Sequence, residues 1–295
     1  MNWTGVIPAI TTPFLEDLSV DHAFLAQHCL WLIQNGCSGV VALGSLGEGA
    51  TLTFEEKEAV LKTAVAAVGP DVPVVAGVSA LSTEEAVRIA QMARAAGCRG
   101  LMVLPPYVYV GDWRENKAHV AAVLRATPLS AMLYNNPIAY KTDYLPEQVM
   151  ELLADHENLH AIKESSADVR RVASLRILTG ARLKILVGVD DLIFEAGMAG
   201  ATGWIAGLVN AFPAESVELF DAAIRGDKTR AMEIYKWFLP MLRMDTVPKF
   251  VQLIKVAQAE VGMGSARVRP PRLELVGAEL AEAQRIIREA LATRP

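Results

Sequence analysis

Cysteine is scarce. Cys29, Cys37 and Cys98 are the only three in 295 residues, and no two stand in a CxxC spacing. Their odd number and apolar surroundings argue against a disulfide framework and for a reducing compartment. No apolar run reaches the roughly 18–20 residues that a membrane span needs. The start, MNWTGVIPAITTPF, has no basic segment followed by a continuous apolar core, so it does not read as a secretion signal. A cytoplasmic location is the expectation. The five histidines, His22, His28, His119, His156 and His160, show no HExxH or other ligand spacing, so no metal is expected. Neither GxGxxG after the first apolar run nor GxxxxGK[ST] occurs, which removes the common phosphate-cradling loops. Charge of one sign is not in excess either. A net charge of −5 argues against nucleic acid or an anionic membrane as partner.

What is abundant is apolar sequence, at 52% of the chain, arranged as short runs between longer segments of helical period. Eight runs stand out: 5–10, 39–43, 72–77, 100–104, 129–134, 159–164, 183–188 and 202–207. They lack polar alternation, as strands buried on both faces of a parallel sheet do. Between them lie segments such as TFEEKEAVLKTAVAAVG and STEEAVRIAQMARAAG. Each opens on a Ser or Thr cap, carries acids in its first turn and closes on Gly. Eight strand–helix units in about 225 residues predict an α/β fold of the closed (βα)8 kind, a TIM barrel. An open doubly wound sheet is the competitor, but it seldom uses eight evenly spaced units. After residue 226 the strands stop, and 227–240, 246–262 and 277–292 read as helices. The organisation is therefore a barrel over 1–226 holding the active site, and a C-terminal three-helix extension over 227–295 packed on the barrel or on a partner chain.

A barrel places its chemistry at the C-terminal ends of its strands. Lys163 lies inside the apolar run LHAIKE, where a strongly hydrated ammonium must be paired or give up its proton. Desolvation there lowers its pKa and makes it a nucleophile towards carbonyl carbon. The plainer alternatives are a lysine snorkelling at a strand edge or pairing with Glu164. Tyr134 ends the neighbouring run and could relay protons, although tyrosines also cap strands with the hydroxyl in water. GSLGE (44–48) offers glycines and free N–H groups that suit a carboxylate or phosphate, a weak signal by itself. Asp190 and Asp191 precede a helix and read most simply as its cap and first-turn acid; one of them could instead meet a substrate hydroxyl.

In combination, GVIPAITTPF, GSLGE, LPPY, YNNP, IKESS and GVDD, in this order and at this spacing, resemble the N-acetylneuraminate lyase and dihydrodipicolinate synthase family of class I aldolases. The match runs essentially end to end. It implies that Lys163 forms the Schiff base and that Tyr134 relays protons and orients the substrate. It implies further that Ser45 bonds this tyrosine near the carboxylate of a 2-oxo acid. Leu46 stands where many members carry a Thr, so only its backbone N–H can serve. Gly188, Asp190 and Ile205 fall where the family lines the cavity around the substrate. The resemblance also implies a homotetramer built as a dimer of dimers, with no cofactor beyond the lysine imine.

Two departures bear on the reaction. Dihydrodipicolinate-forming members carry an Arg where this chain has Ala139, and a second Tyr, contributed across a dimer, where it has Val108. The runs YNNPIAYKTD, GVDD, GWIAGLVNAFP, YKWFLPML and RPPRL are more narrowly similar to 1-pyrroline-4-hydroxy-2-carboxylate deaminases of hydroxyproline breakdown. The expected activity is thus deamination and dehydration of that cyclic imino acid to 2,5-dioxopentanoate and ammonia. A dihydrodipicolinate-synthase-like lyase or 2-oxo acid aldolase is the alternative, acting on 4-hydroxy-2-oxoglutarate or a 2-oxo-3-deoxy sugar acid. A non-catalytic carboxylate-binding barrel is the third reading.

Overall fold

A computed structural model describes residues 1–295. Eight parallel strands form one sheet: β1 (Gly5–Pro8), β2 (Val40–Ala42), β3 (Val74–Val78), β4 (Gly100–Val103), β5 (Ser130–Asn135), β6 (Leu159–Glu164), β7 (Lys184–Val187) and β8 (Gly203–Ala206). From β2 onward each pairs with the next, and β8 pairs with β1. A parallel bridge from Ala9 to Val41, with the Ile10 N–H donating to the Val41 carbonyl, brings β1 to β2 and closes the ring. The fold is the TIM barrel, and each strand lies within two residues of the run that predicts it.

Between the strands run α1 (His22–Gln34), α2 (Phe54–Val68), α3 (Thr83–Ala95), α4 (Trp113–Arg125), the one-turn α5 (Pro137–Tyr140), α6 (Pro146–Asp155), α7 (Arg170–Thr179) and α8 (Ile193–Met198). After β8 comes α9 (Pro213–Arg225). The caps read from sequence are in place. Thr53 and Glu56 form a reciprocal capping box on α2, and the Ser82 hydroxyl accepts the Glu85 N–H on α3.

The tail folds as α10 (Lys228–Leu242), α11 (Phe250–Glu260) and α12 (Gly277–Ala292). Its apolar residues Phe238, Val251, Ile254 and Ile287 belong to the same buried cluster as the strand residues Val41, Leu133 and Leu186. Barrel and extension therefore share one core. None of the helices is long and apolar enough to cross a membrane. All three cysteines are buried, and burial pushes each thiol up to about 12, so they are packing residues without thiolate reactivity.

Candidate active site

Lys163 is the sixth barrel strand's inward lysine, only 7% exposed. Its backbone is in register with Tyr134 of β5 and Leu186 of β7, and its Nζ lies 4.2 Å from the centre of the Tyr134 ring. Burial holds its pKa below the ordinary lysine value, and the acidic groups of Asp245, Tyr140 and Asp190 nearby oppose this only in part. Glu164 is not its partner. One Glu164 oxygen accepts the Asn135 side-chain N–H and the other the Ser166 backbone N–H, which turns that carboxylate away. The lysine stem needs the space over Gly188, where a Cβ would come within 2.4 Å of Lys163 Cε. Gly188 thus makes room for the lysine stem.

Tyr134 is 6% exposed and its hydroxyl accepts the Asn136 side-chain N–H at 3.0 Å. Burial raises its pKa to about 12, so the phenol is protonated at neutral pH. Asn136 also accepts the Ala139 N–H and so caps α5, with Pro137 at its first position. That single turn carries Tyr140 back into the mouth, its ring edge-on to Tyr134 at 5.6 Å and within 6.3 Å of Tyr107.

Here the structure corrects one expectation. The Ser45 hydroxyl bonds the phenol of Tyr140, not that of Tyr134. Tyr140 stands between the two because α5 folds immediately after YNNP. The turn GSLGE otherwise behaves as its sequence suggests. The Ser45 and Leu46 N–H groups have no partner within the chain, and the Leu46 side chain is packed in the core.

Asp190 departs from both readings given to it. It does not cap the helix it begins, nor does it offer a free oxygen to a cavity. Its two oxygens accept the Trp204 indole N–H and the N–H groups of Gly207 and Leu208, so it caps the turn after β8 instead. Burial nevertheless pushes its carboxyl up to about 6. Asp191 caps nothing with its side chain and faces Arg243 at 3.8 Å. Ile205 is fully buried in β8, opposite Ile7 in register, and contributes wall.

The chain matches the model of the dihydrodipicolinate synthetase family over residues 2–290. It belongs to that family. A 4-hydroxy-tetrahydrodipicolinate synthase of Chelativorans sp. (strain BNC1) is 35% identical over 237 residues, covering 80% of this chain and 81% of the relative. One from Methanoculleus marisnigri is 33% identical over 96% of this chain and 98% of its own. Among solved structures, dihydrodipicolinate synthase from Aquifex aeolicus superposes with a TM-score of 0.92 at 29% identity, covering 99% and 98% of the two chains. The prophage protein YagE of Escherichia coli K12, solved in complex with pyruvate, gives 0.92 at 29% identity over 99% of both. The protein is accordingly a lyase-family enzyme of the class I aldolase type.

Two mouth residues escape a reading of the sequence. Tyr140 carries a usable signal, since Asn-Pro opens a helix and the tyrosine falls one turn later. Asp245 carries none. It sits in the turn Arg243–Thr246 between α10 and α11, and reaches the mouth only through the way the tail folds back over the barrel.

Proposed function

We propose that the protein is a Schiff-base lyase in which Lys163 attacks C2 of a small 2-oxo or cyclic-imino acid. The observation that carries this reading is the buried, partner-poor Lys163 amine over the Tyr134 ring. An amine desolvated in this way is the form that adds to a carbonyl or imine carbon. The pyruvate complex of YagE supports a 2-oxo acid as the ligand class. The unpaired N–H groups of Ser45 and Leu46 are suited to the acid's carboxylate.

Two finer readings follow. The names of the curated relatives favour a 4-hydroxy-tetrahydrodipicolinate-synthase-like lyase. The pocket favours elimination. Ala139 offers only a methyl group, and Val108 is 81% exposed, so neither a guanidinium nor a second phenol stands at these positions to receive a dicarboxylate. In the elimination, Lys163 adds to C2 of 1-pyrroline-4-hydroxy-2-carboxylate and ring opening leaves a lysine-linked imine. Tyr134 gives its phenol proton to the departing ring nitrogen and, as the phenolate, takes a proton from C3, and the enamine expels the C4 hydroxyl. Proton shifts move the C3=C4 double bond to C5 and its nitrogen, and hydrolysis of both imines gives 2,5-dioxopentanoate and ammonia and frees Lys163. The protonated imine nitrogen serves as electron sink, and a placed proton relay typically contributes about 10²–10⁴-fold.

Pyruvate and borohydride should add mass to the wild type at Lys163 and not to Lys163→Ala; an adduct on another lysine overturns the assignment. Ammonia release from the hydroxypyrroline acid supports elimination. A coupled assay with pyruvate and aspartate semialdehyde running above about 10 s⁻¹, the ordinary enzyme median, supports the synthase reading instead. The working form is proposed to be a homotetramer, and sedimentation as a monomer at micromolar concentration would refute that.

A further inference from the structure

The turn Arg243–Thr246 packs against the turn Asp190–Leu192 that follows β7 and delivers one carboxyl to the barrel mouth. Asp245 Oδ1 rests against the bare Cα of Gly207, at the end of β8. A Cβ there would lie 2.2 Å from that oxygen, so any side chain at 207 expels it. The other carboxyls of the mouth are committed. Asp190 accepts N–H groups from Trp204, Gly207 and Leu208; Glu164 is held by Asn135 and Ser166; Asp191 faces Arg243. Asp245 accepts no hydrogen bond from the chain. It is a near acidic neighbour of Lys163, yet the two make no direct ion pair. Partly buried and without a hydrogen-bond partner in the chain, this carboxyl is open to a polar group of a ligand.

The placement says which part of a ligand. Lys163 on β6 fixes C2. Ser45 and Leu46 follow β2, across the barrel, and face the C1 carboxylate, while Tyr134 covers C3 from β5. The sector over β7 and β8, where Asp245 lies, is left for the group on C4. Burial and the negative charge of Asp190 hold the Asp245 carboxyl well above the ordinary carboxylate range, which favours its protonated form.

We propose that Asp245 is a catalytic acid that binds the oxygen on C4 of the lysine-bound substrate and protonates it as it leaves. This inference rests on the imine-lyase reading above. As the enamine forms C3=C4, the C4–O bond breaks and its electron pair goes to the oxygen. The Asp245 carboxyl gives that oxygen its proton, water departs, and Asp245 is left as the carboxylate to be reprotonated from solvent. A neutral carboxyl here has no positive charge to pair with a second carboxylate at C4 or beyond, while its O–H suits a hydroxyl oxygen, and so it selects hydroxylated monocarboxylic acids.

The test uses the full chain as wild type, Asp245→Asn, Asp245→Ala and Gly207→Ala. First, 1-pyrroline-2-carboxylate and its 4-hydroxy derivative compete with pyruvate for borohydride trapping, measured as initial rates. Wild type should favour the hydroxylated competitor by about tenfold, and all three variants should lose that preference while still trapping pyruvate. Equal preference in wild type and Asp245→Ala overturns the proposal, as does loss of pyruvate trapping in both Asp245 variants, which would assign the carboxyl to Lys163 itself. Second, turnover of the 4-hydroxy acid should fall about 10²-fold or more in Asp245→Asn, and near-wild-type turnover there also overturns it. Absence of any turnover in wild type counts against the deaminase reading alone, because the competition assay still decides on Asp245.

Discussion

Ser45 and Tyr140 share a hydrogen bond across the barrel mouth, joining the turn after β2 to the turn after β5. Tyr140 in turn stands edge-on to Tyr134, whose ring carries the Lys163 amine. One hydrogen bond and two ring contacts thus form a row leading from the GSLGE turn to Lys163.

If the row carries protons, its members act as a unit. Tyr140→Phe should lower turnover by roughly 10²-fold, as loss of an acid–base hydroxyl does. Ser45→Ala removes one hydrogen bond, about 0.5–1.5 kcal/mol, and should cost roughly tenfold at most. The double variant should be no worse than Tyr140→Phe alone, because the serine acts through that phenol. Additive losses would separate Ser45 from the relay.

Tyr134→Phe keeps the ring under Lys163 and deletes only the hydroxyl. Turnover should drop by about 10²-fold or more, with pyruvate trapping retained. Activity close to wild type would leave Tyr134 a lining role only.

Lys163 should be reactive at unusually low pH. Burial favours the neutral amine, so its pKa lies below the ordinary lysine value and the nucleophilic fraction saturates earlier as pH rises. The rate of pyruvate trapping should therefore climb and reach its plateau well before pH 10.5. A rate still rising through pH 10.5 would show an ordinary, solvated lysine.

These residues differ in how plainly the sequence announces them. Lys163 is legible because a lysine inside an apolar strand breaks a pattern, and the eight strands are legible because nothing else produces such unalternated runs. Asp190 is visible but ambiguous: an acid before a helix reads as that helix's cap, whereas its donors, Gly207 and Leu208, lie on the following strand's turn. Asp245 has no local pattern to break. Its neighbours in the mouth are set by the path of α10 and α11 across the barrel, a long-range outcome that periodicity does not encode.

The buried ion pair of Glu48 and Lys255 gives a stability prediction. The Lys255 ammonium donates to Glu48 at 2.6 Å and to the carbonyls of Thr12 and Arg267, at 2% exposure, and lies over the Phe14 ring. Lys255→Met leaves Glu48 buried with only the Arg269 N–H and should cost about 3–5 kcal/mol, read as a lowered denaturant midpoint. Replacing both, as Glu48→Gln with Lys255→Met, should recover part of the loss. A single variant as stable as wild type would show the pair to be dispensable.

The same contact sets an order of events during synthesis. Glu48 sits in the turn that presents Ser45, yet its partner follows 207 residues later. A chain leaving the ribosome can form strands and helices in sequence, but the turn that would grip a carboxylate stays unanchored until the eleventh helix has emerged. Asp245 also belongs to this late segment. A nascent or C-terminally clipped chain is therefore a barrel without a finished mouth, lacking both the Lys255 anchor of the GSLGE turn and the Asp245 carboxyl.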